Sequence, residues 1–195
     1  SDVCSSDLVR DREAAGGRPI VEVMIPLTVS KEEMALARSW VIAVAEELNV
    51  TSTLLIGTMI ETPRAALIAA DLARVSDFFS FGTNDLTQMT FGFSRDDVEA
   101  KMMPAYLSQG LLEGNPFDSI DVEGVGALVS LAVQQARGVK RRLKIGVCGE
   151  HGGDPASIQF FVAAGLDYVS CSPFRIPIAR LAAAQAAIGI NEEGG

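Results

Sequence analysis

Glu61 and Asp85 are the residues best placed to do chemistry in this 195-residue chain. Each closes an apolar run: Leu54-Leu55-Ile56-Gly57-Thr58-Met59-Ile60 leads into Glu61, and Phe78-Phe79-Ser80-Phe81-Gly82-Thr83-Asn84 leads into Asp85. A single βα repeat separates them. Two carboxylates at the exits of successive buried strands face the same end of a parallel sheet. A hard cation such as Mg²⁺ is held by one or two carboxylates plus oxygens of its substrate. Taken singly, each carboxylate reads equally well as a helix cap drawn to a helix N-terminus. Their equivalent positions, one repeat apart, favour a metal site.

Three further groups sit at similar places. Gly82-Thr83-Asn84-Asp85 offers backbone N–H groups, a hydroxyl and an amide that can hold a carboxylate or phosphate oxygen, although Thr-Asn-Asp is also ordinary turn chemistry. Cys148 ends an apolar run and is followed by Gly149-Glu150-His151-Gly152-Gly153-Asp154, a glycine-flanked loop with the chain's one histidine. A cysteine there is either small apolar packing or a thiol able to give and take a proton. His151 orients Cys148, contacts a ligand or bonds a loop carbonyl. Arg64 and Arg95 each follow a strand-end motif and read as anion contacts or surface ion pairs. Cys171 reads as packing and Cys4 as part of the lead-in. The methionines Met59, Met89, Met102 and Met103 read as core or lid packing.

The elements that must position these groups alternate. Residues 20–26, 53–61, 77–82, 144–148 and 168–171 read as strands of the buried, parallel type. Ser30 and Glu33 form a capping-box pattern ahead of a stripe of Met34, Leu36, Ala37, Trp40, Val41, Val44 and Leu48, with Asn49 at its C′ position. Thr62-Pro63 and Asp154-Pro155 each supply a cap and a first-turn proline, for helices running to Arg74 and Gly165. Helices also cover 121–137 and 177–188, and 115–118 is a turn. Residues 87–114 are long for a connection and form a lid or carry a short helix. Residues 1–17 form a poorly ordered lead-in, with 1–8 a candidate for non-native sequence, and residues 18–195 form the domain. The fold class is α/β. No Gly-x-Gly-x-x-Gly follows a strand, and polar residues recur at the ends of successive strands, as in a (β/α)₈ TIM barrel. About five βα units make this a partial barrel.

Composition narrows the function. At 48% hydrophobic residues the chain can fill one core, and its net charge of −9 with no basic run argues against nucleic acid. Three cysteines without CxxC spacing and a single histidine exclude a zinc cluster or a multi-histidine site. No run reaches the roughly 18 apolar residues of a membrane span. These features predict a cytoplasmic protein with no membrane association.

Taken together, the segments resemble the C-terminal, phosphoenolpyruvate-binding domain of the pyruvate, phosphate dikinases. The resemblance runs through Gly57-Thr58-Met59-Ile60-Glu61-Thr62-Pro63-Arg64-Ala65-Ala66 and Phe78-Phe79-Ser80-Phe81-Gly82-Thr83-Asn84-Asp85-Leu86-Thr87-Gln88. It continues in Met89-Thr90-Phe91-Gly92-Phe93-Ser94-Arg95-Asp96-Asp97, Cys148-Gly149-Glu150-His151-Gly152-Gly153-Asp154-Pro155 and Ser170-Cys171-Ser172-Pro173-Phe174-Arg175. It covers about residues 19–188. The Glu and Gly-Thr-Asn-Asp elements are shared with phosphoenolpyruvate synthase and enzyme I of the sugar phosphotransferase system. The Thr-Phe-Gly-Phe-Ser-Arg-Asp-Asp and His-Gly-Gly-Asp-Pro stretches are more similar to the dikinases.

The resemblance implies a TIM barrel with its site at the C-terminal strand ends. It implies Mg²⁺ on Glu61 and Asp85, and pyruvate or phosphoenolpyruvate against Glu61, Gly82, Thr83, Asn84 and Asp85. It further implies Cys148 as the acid/base at the substrate methyl carbon. The implied reaction, for the full-length protein, is the reversible conversion of ATP, phosphate and pyruvate into AMP, diphosphate and phosphoenolpyruvate. Its implied partners are an ATP-binding domain, a phosphohistidine domain and a second copy in a homodimer. The first two are absent here, as are the early strands that bring arginines, so the expectation is a fragment inactive alone. The alternatives are a domain of phosphoenolpyruvate synthase or enzyme I, and a non-catalytic ligand-binding half-barrel.

Overall fold

A computed structural model describes residues 3–193. The chain opens with α1 (Val3–Ala14), which runs into β1 (Ile20–Ile25). Of the stretch expected as a poorly ordered lead-in, Val3–Ala14 is helical. Its end is tied down by the Glu13 carboxylate, which accepts the backbone N–H groups of Thr51 (3.1 Å) and Ser52 (2.7 Å) and the Ser52 hydroxyl.

Helix α2 (Lys31–Glu47) starts where the capping pattern puts it. Ser30 Oγ accepts the Glu33 N–H at 3.1 Å, and Glu33 reaches back to the Val29 N–H at 2.8 Å. Asn49 takes a left-handed conformation after its end, with φ 55°. Its expected apolar stripe is mostly uncovered: Met34 is buried, whereas Leu36, Trp40 and Val44 are exposed. The helix is tied to the sheet through Arg38, which donates to the Ile56 carbonyl and pairs with Asp77 at 2.7 Å.

Strand β2 (Thr53–Ile60) leads to Thr62, whose hydroxyl caps α3 (Pro63–Leu67) by accepting the Ala65 N–H at 3.0 Å. Ile68 leaves helical geometry, so the expected single helix is two pieces, α3 and α4 (Ala69–Ala73). Then come β3 (Phe78–Gly82), α5 (Thr83–Phe91), α6 (Arg95–Val98) and α7 (Met102–Ser108). The long connection is thus largely helical, and Gly92, with φ 67°, ends α5. A π-type turn (Val122–Gly126), capped by Asp121, enters α8 (Ala127–Val139) and β4 (Lys144–Cys148). A 3₁₀ turn (Glu150–Gly153) follows, then α9 (Pro155–Ala163), capped by Asp154, and β5 (Tyr168–Val169), shorter than expected. The chain closes with a second 3₁₀ turn (Pro173–Arg175) and α10 (Ile176–Glu193).

The five strands form one parallel sheet in the order β1-β2-β3-β4-β5, which is barrel order without the reversal of a doubly wound sheet. The sheet is curled. Lys144 on β4 reaches Glu22 on β1 at 2.7 Å, although two strands lie between them. In a flat sheet β1 and β4 would stand roughly 14 Å apart. The sheet does not close, since β1 and β5 pair on one side only. It is a partial TIM barrel.

The outer faces of the strands carry Ile56, Ile60, Phe79, Phe81, Ile145 and Val147 into a core with Leu72, Val129, Ala132 and Phe161. On the concave face, rings sit over glycines. A Cβ on Gly57 would lie 2.6 Å from the Phe78 ring, and one on Gly146 would lie 2.1 Å from the Tyr168 ring. Gly57→Ala is expected to lower stability by about 1–3 kcal/mol through overpacking. Urea denaturation would measure this, and an unchanged midpoint would contradict the ring-over-glycine packing.

Candidate active site

The C-terminal ends of β2, β3 and β4 converge. Glu61 follows β2 directly, Asp85 lies in the first turn of α5 straight after β3, and Cys148 is the last residue of β4. Cys148 stands opposite Gly82 in the β3–β4 ladder. The register therefore brings the predicted metal carboxylates, the Gly82–Asp85 turn and the thiol to one end of the sheet. Cys148 is half-buried and free.

Glu61 is 4% exposed, and neither it nor Asp85 has an ion pair among the described residues. Burial pushes the Glu61 carboxyl above its ordinary range, and the neighbouring Asp85 charge pushes it the same way. The Leu27 N–H opposes this by donating to Glu61 Oε1 at 2.6 Å. Leu27 has a φ of 49°, in the left-handed region that a leucine rarely adopts, so the residue that donates to Glu61 is itself in a strained backbone conformation. Gly82 makes room on the other side: a Cβ there would lie 2.5 Å from Glu61 Oε2.

Two neighbouring carboxylates are the kind of donor set that a divalent hard ion would complete with ligand or water oxygens. Among the described residues no group of three or more His, Cys, Asp or Glu could hold a metal. Any cation here would rest on Glu61 and Asp85.

Helix α5 has no side-chain cap, and N–H groups at a helix start can bind an anion. The Asn84 side chain accepts the Glu150 N–H at 3.1 Å, pinning the loop behind Cys148. Gly149 is left-handed, with φ 118°, and a Cβ there would meet Thr83 Oγ1 at 2.7 Å. A polar cavity of about 430 Å³ opens beside this turn, bounded by Asn84, Gly149, Glu150, Ser170, Ser172 and Arg175.

His151 is fully buried and turns away from the ligand side. Its Nε2 lies 2.8 Å from the Pro116 carbonyl, which only accepts, so Nε2 carries the proton. Burial holds its pKa below the ordinary value, the ring is neutral, and Nδ1 accepts the Thr83 hydroxyl at 2.8 Å. The Cys148 carbonyl is a longer alternative acceptor for that hydroxyl, at 3.4 Å. The Thr83 side chain is thus engaged within the protein. No described hydrogen bond joins His151 to Cys148.

The two arginines are engaged elsewhere. Arg64 is exposed and donates to the Val29 carbonyl. Arg95 pairs with Glu99 (3.3 Å) and Glu150 (2.9 Å) and lies over the Phe117 ring at 5.6 Å. Its pKa is raised, chiefly by the bond to Glu99 and next by that to Glu150. Two contributors had no reading in the sequence. Gln88, one helical turn past Asp85, donates to Asp85 Oδ1 at 3.4 Å, and i+3 spacing could have found it. Leu27 carried no signal beyond its place after a strand.

Because the folded state holds the Glu61 proton above its ordinary value of 4.5, stability falls as pH rises through that window. In chelator, Glu61→Gln removes this loss. Urea midpoints are expected to favour the variant increasingly as pH rises above the ordinary value of 4.5. A gap independent of pH would contradict the strained carboxylate pair.

Comparison with known proteins shows the family. Residues 9–188 match the family model for the PEP-utilising enzyme, PEP-binding domain. The chain is 54% identical over 174 residues to pyruvate, phosphate dikinase, chloroplastic, of Mesembryanthemum crystallinum, covering 87% of this chain and 18% of that protein. It is 54% identical over 173 residues to pyruvate, phosphate dikinase 1, chloroplastic, of Arabidopsis thaliana, covering 87% and 18%. It is 56% identical over 168 residues to pyruvate, phosphate dikinase 2 of Zea mays, covering 84% and 19%. The chain spans under a fifth of the length of these relatives. With its open parallel barrel and strand-end site, the chain belongs to the PEP-utilising enzyme family, as its PEP-binding domain.

Proposed function

We propose that this chain carries the pyruvate/phosphoenolpyruvate phosphoryl-transfer site of a pyruvate, phosphate dikinase. The observation that supports this most is the convergence of an unpaired carboxylate couple, a helix start and a free thiol at one end of the sheet.

In this reading Glu61 and Asp85 hold Mg²⁺, which supplies Lewis-acid stabilisation of negative charge on a substrate oxygen. The N–H groups at the start of α5 orient the substrate carboxylate. Cys148 takes a proton from the methyl carbon of pyruvate, leaving an enolate. The enolate oxygen attacks the phosphorus of a phosphohistidine on another part of the full-length protein. The P–N bond breaks, phosphoenolpyruvate leaves, and histidine is regenerated. In reverse, Cys148 returns the proton to the enolate carbon.

The phosphohistidine and ATP-binding parts lie outside this sequence, so the chain alone turns nothing over in this account. The described residues include no helix long and apolar enough to cross a membrane. The intact protein works as a homodimer in the cytoplasm in this reading, although several relatives are named as chloroplastic.

Joining the missing portion and assaying phosphoenolpyruvate formation tests the assignment. Cys148→Ala and Glu61→Ala are each expected to lower turnover by about 10²–10⁴-fold while the fold persists. A Cys148→Ala protein with wild-type turnover would overturn the proton-transfer role.

A further inference from the structure

One circuit of contacts remains outside the chemistry above. Glu150 donates its N–H to Asn84 Oδ1 at 3.1 Å, and its carboxylate binds Arg95 Nη1 at 2.9 Å. Arg95 donates its own N–H to Gln88 Oε1 at 2.9 Å. Gln88 in turn donates Nε2–H to Asp85 Oδ1 at 3.4 Å. Asn84 and Asp85 are adjacent, so the circuit closes on the turn between β3 and α5.

We infer that Gln88, Arg95 and Glu150 are positioning residues that lock the Asp85 carboxylate and the loop after Cys148 into one frame. The inference rests on reading Asp85 and Cys148 as site groups. Each member suits its place. The Gln88 side chain must accept at one end and donate at the other, which fixes its amide orientation. Arg95 binds Glu99 and Glu150 together while its plane lies over Phe117, which an ammonium would do poorly. Glu150 is two residues beyond Cys148, and Gly149 between them is fixed by its left-handed backbone and the closeness of Thr83.

The arrangement also explains why Arg95 is not a free anion ligand. Its charge is used to hold the α5–α6 segment across the cysteine loop. A displacement at Asp85 passes to the Cys148 loop through two side chains and one ion pair, with no movement of the strands.

A double-mutant cycle on the chain as it stands tests this, with no substrate or metal. The readouts are hydrogen exchange at the Gly149 and Glu150 amides and the rate of Cys148 alkylation by iodoacetamide, with exchange in β3 as the control for folding. Arg95→Met and Glu150→Gln are each expected to speed both by roughly fivefold or more. The double variant should lie within about twofold of the larger single effect, and Arg95→Lys should recover part of the protection. Rates unchanged in both single variants, or effects that multiply in the double, would overturn the frame. If Arg95→Met disturbs β3, the half-exposed Glu150→Gln decides alone: wild-type exchange and alkylation in that variant would overturn it. Because neither readout involves pyruvate, the frame and the catalytic assignment can fail separately.

Discussion

The site depends on two like charges held where they repel. Glu61 is buried and Asp85 stands beside it, yet the described residues give neither an ion-pair partner. A buried carboxylate is costly unless paired or hydrogen-bonded. The fold answers with one backbone N–H from Leu27, whose own left-handed conformation is unfavourable, and with a glycine at position 82 that lets the carboxylate in. Stability is given up locally to keep the couple together, a cost that a bound cation would offset in the proposed reading.

The rest of the architecture delivers those groups. Strand register sets Gly82 opposite Cys148, and the curl of the sheet turns the inward faces of the strand ends toward one another. Rings over Gly57 and Gly146 fill the concave face below, so the strand-end layer rests on a packed floor. Behind the Gly82–Asp85 turn, neutral His151 ties Thr83 to Pro116, which joins the long helical connection to the strand ends from within.

What the sequence revealed divides by distance. Caps at Ser30, Thr62 and Asp154 and the C′ residue Asn49 were legible because their partners lie within four residues. Strand ends were legible too, which is why Glu61, the Gly82–Asp85 turn and Cys148 could be placed together. Partners set by tertiary approach were not. Arg95 finds Glu150, His151 finds Thr83 and Pro116, and Leu27 finds Glu61, across separations that no local pattern encodes. The stripe on α2 was read from its period alone, but burial requires an opposing surface, and Leu36, Trp40 and Val44 have none among the described residues. The same holds for Ile178 and Leu181 on α10, beside the other open edge.

The central claim is that Glu61 and Asp85 form a cation site. Titration of the chain with Mn²⁺, followed by electron paramagnetic resonance, addresses it without substrate or partner domains. The account predicts one saturable site whose affinity falls by more than about tenfold in both Glu61→Gln and Asp85→Asn, since each removes a charged oxygen ligand. Substitution of the remote Glu13 by Gln should leave it intact. Mn²⁺ binding that survives unchanged in both site variants would contradict the account.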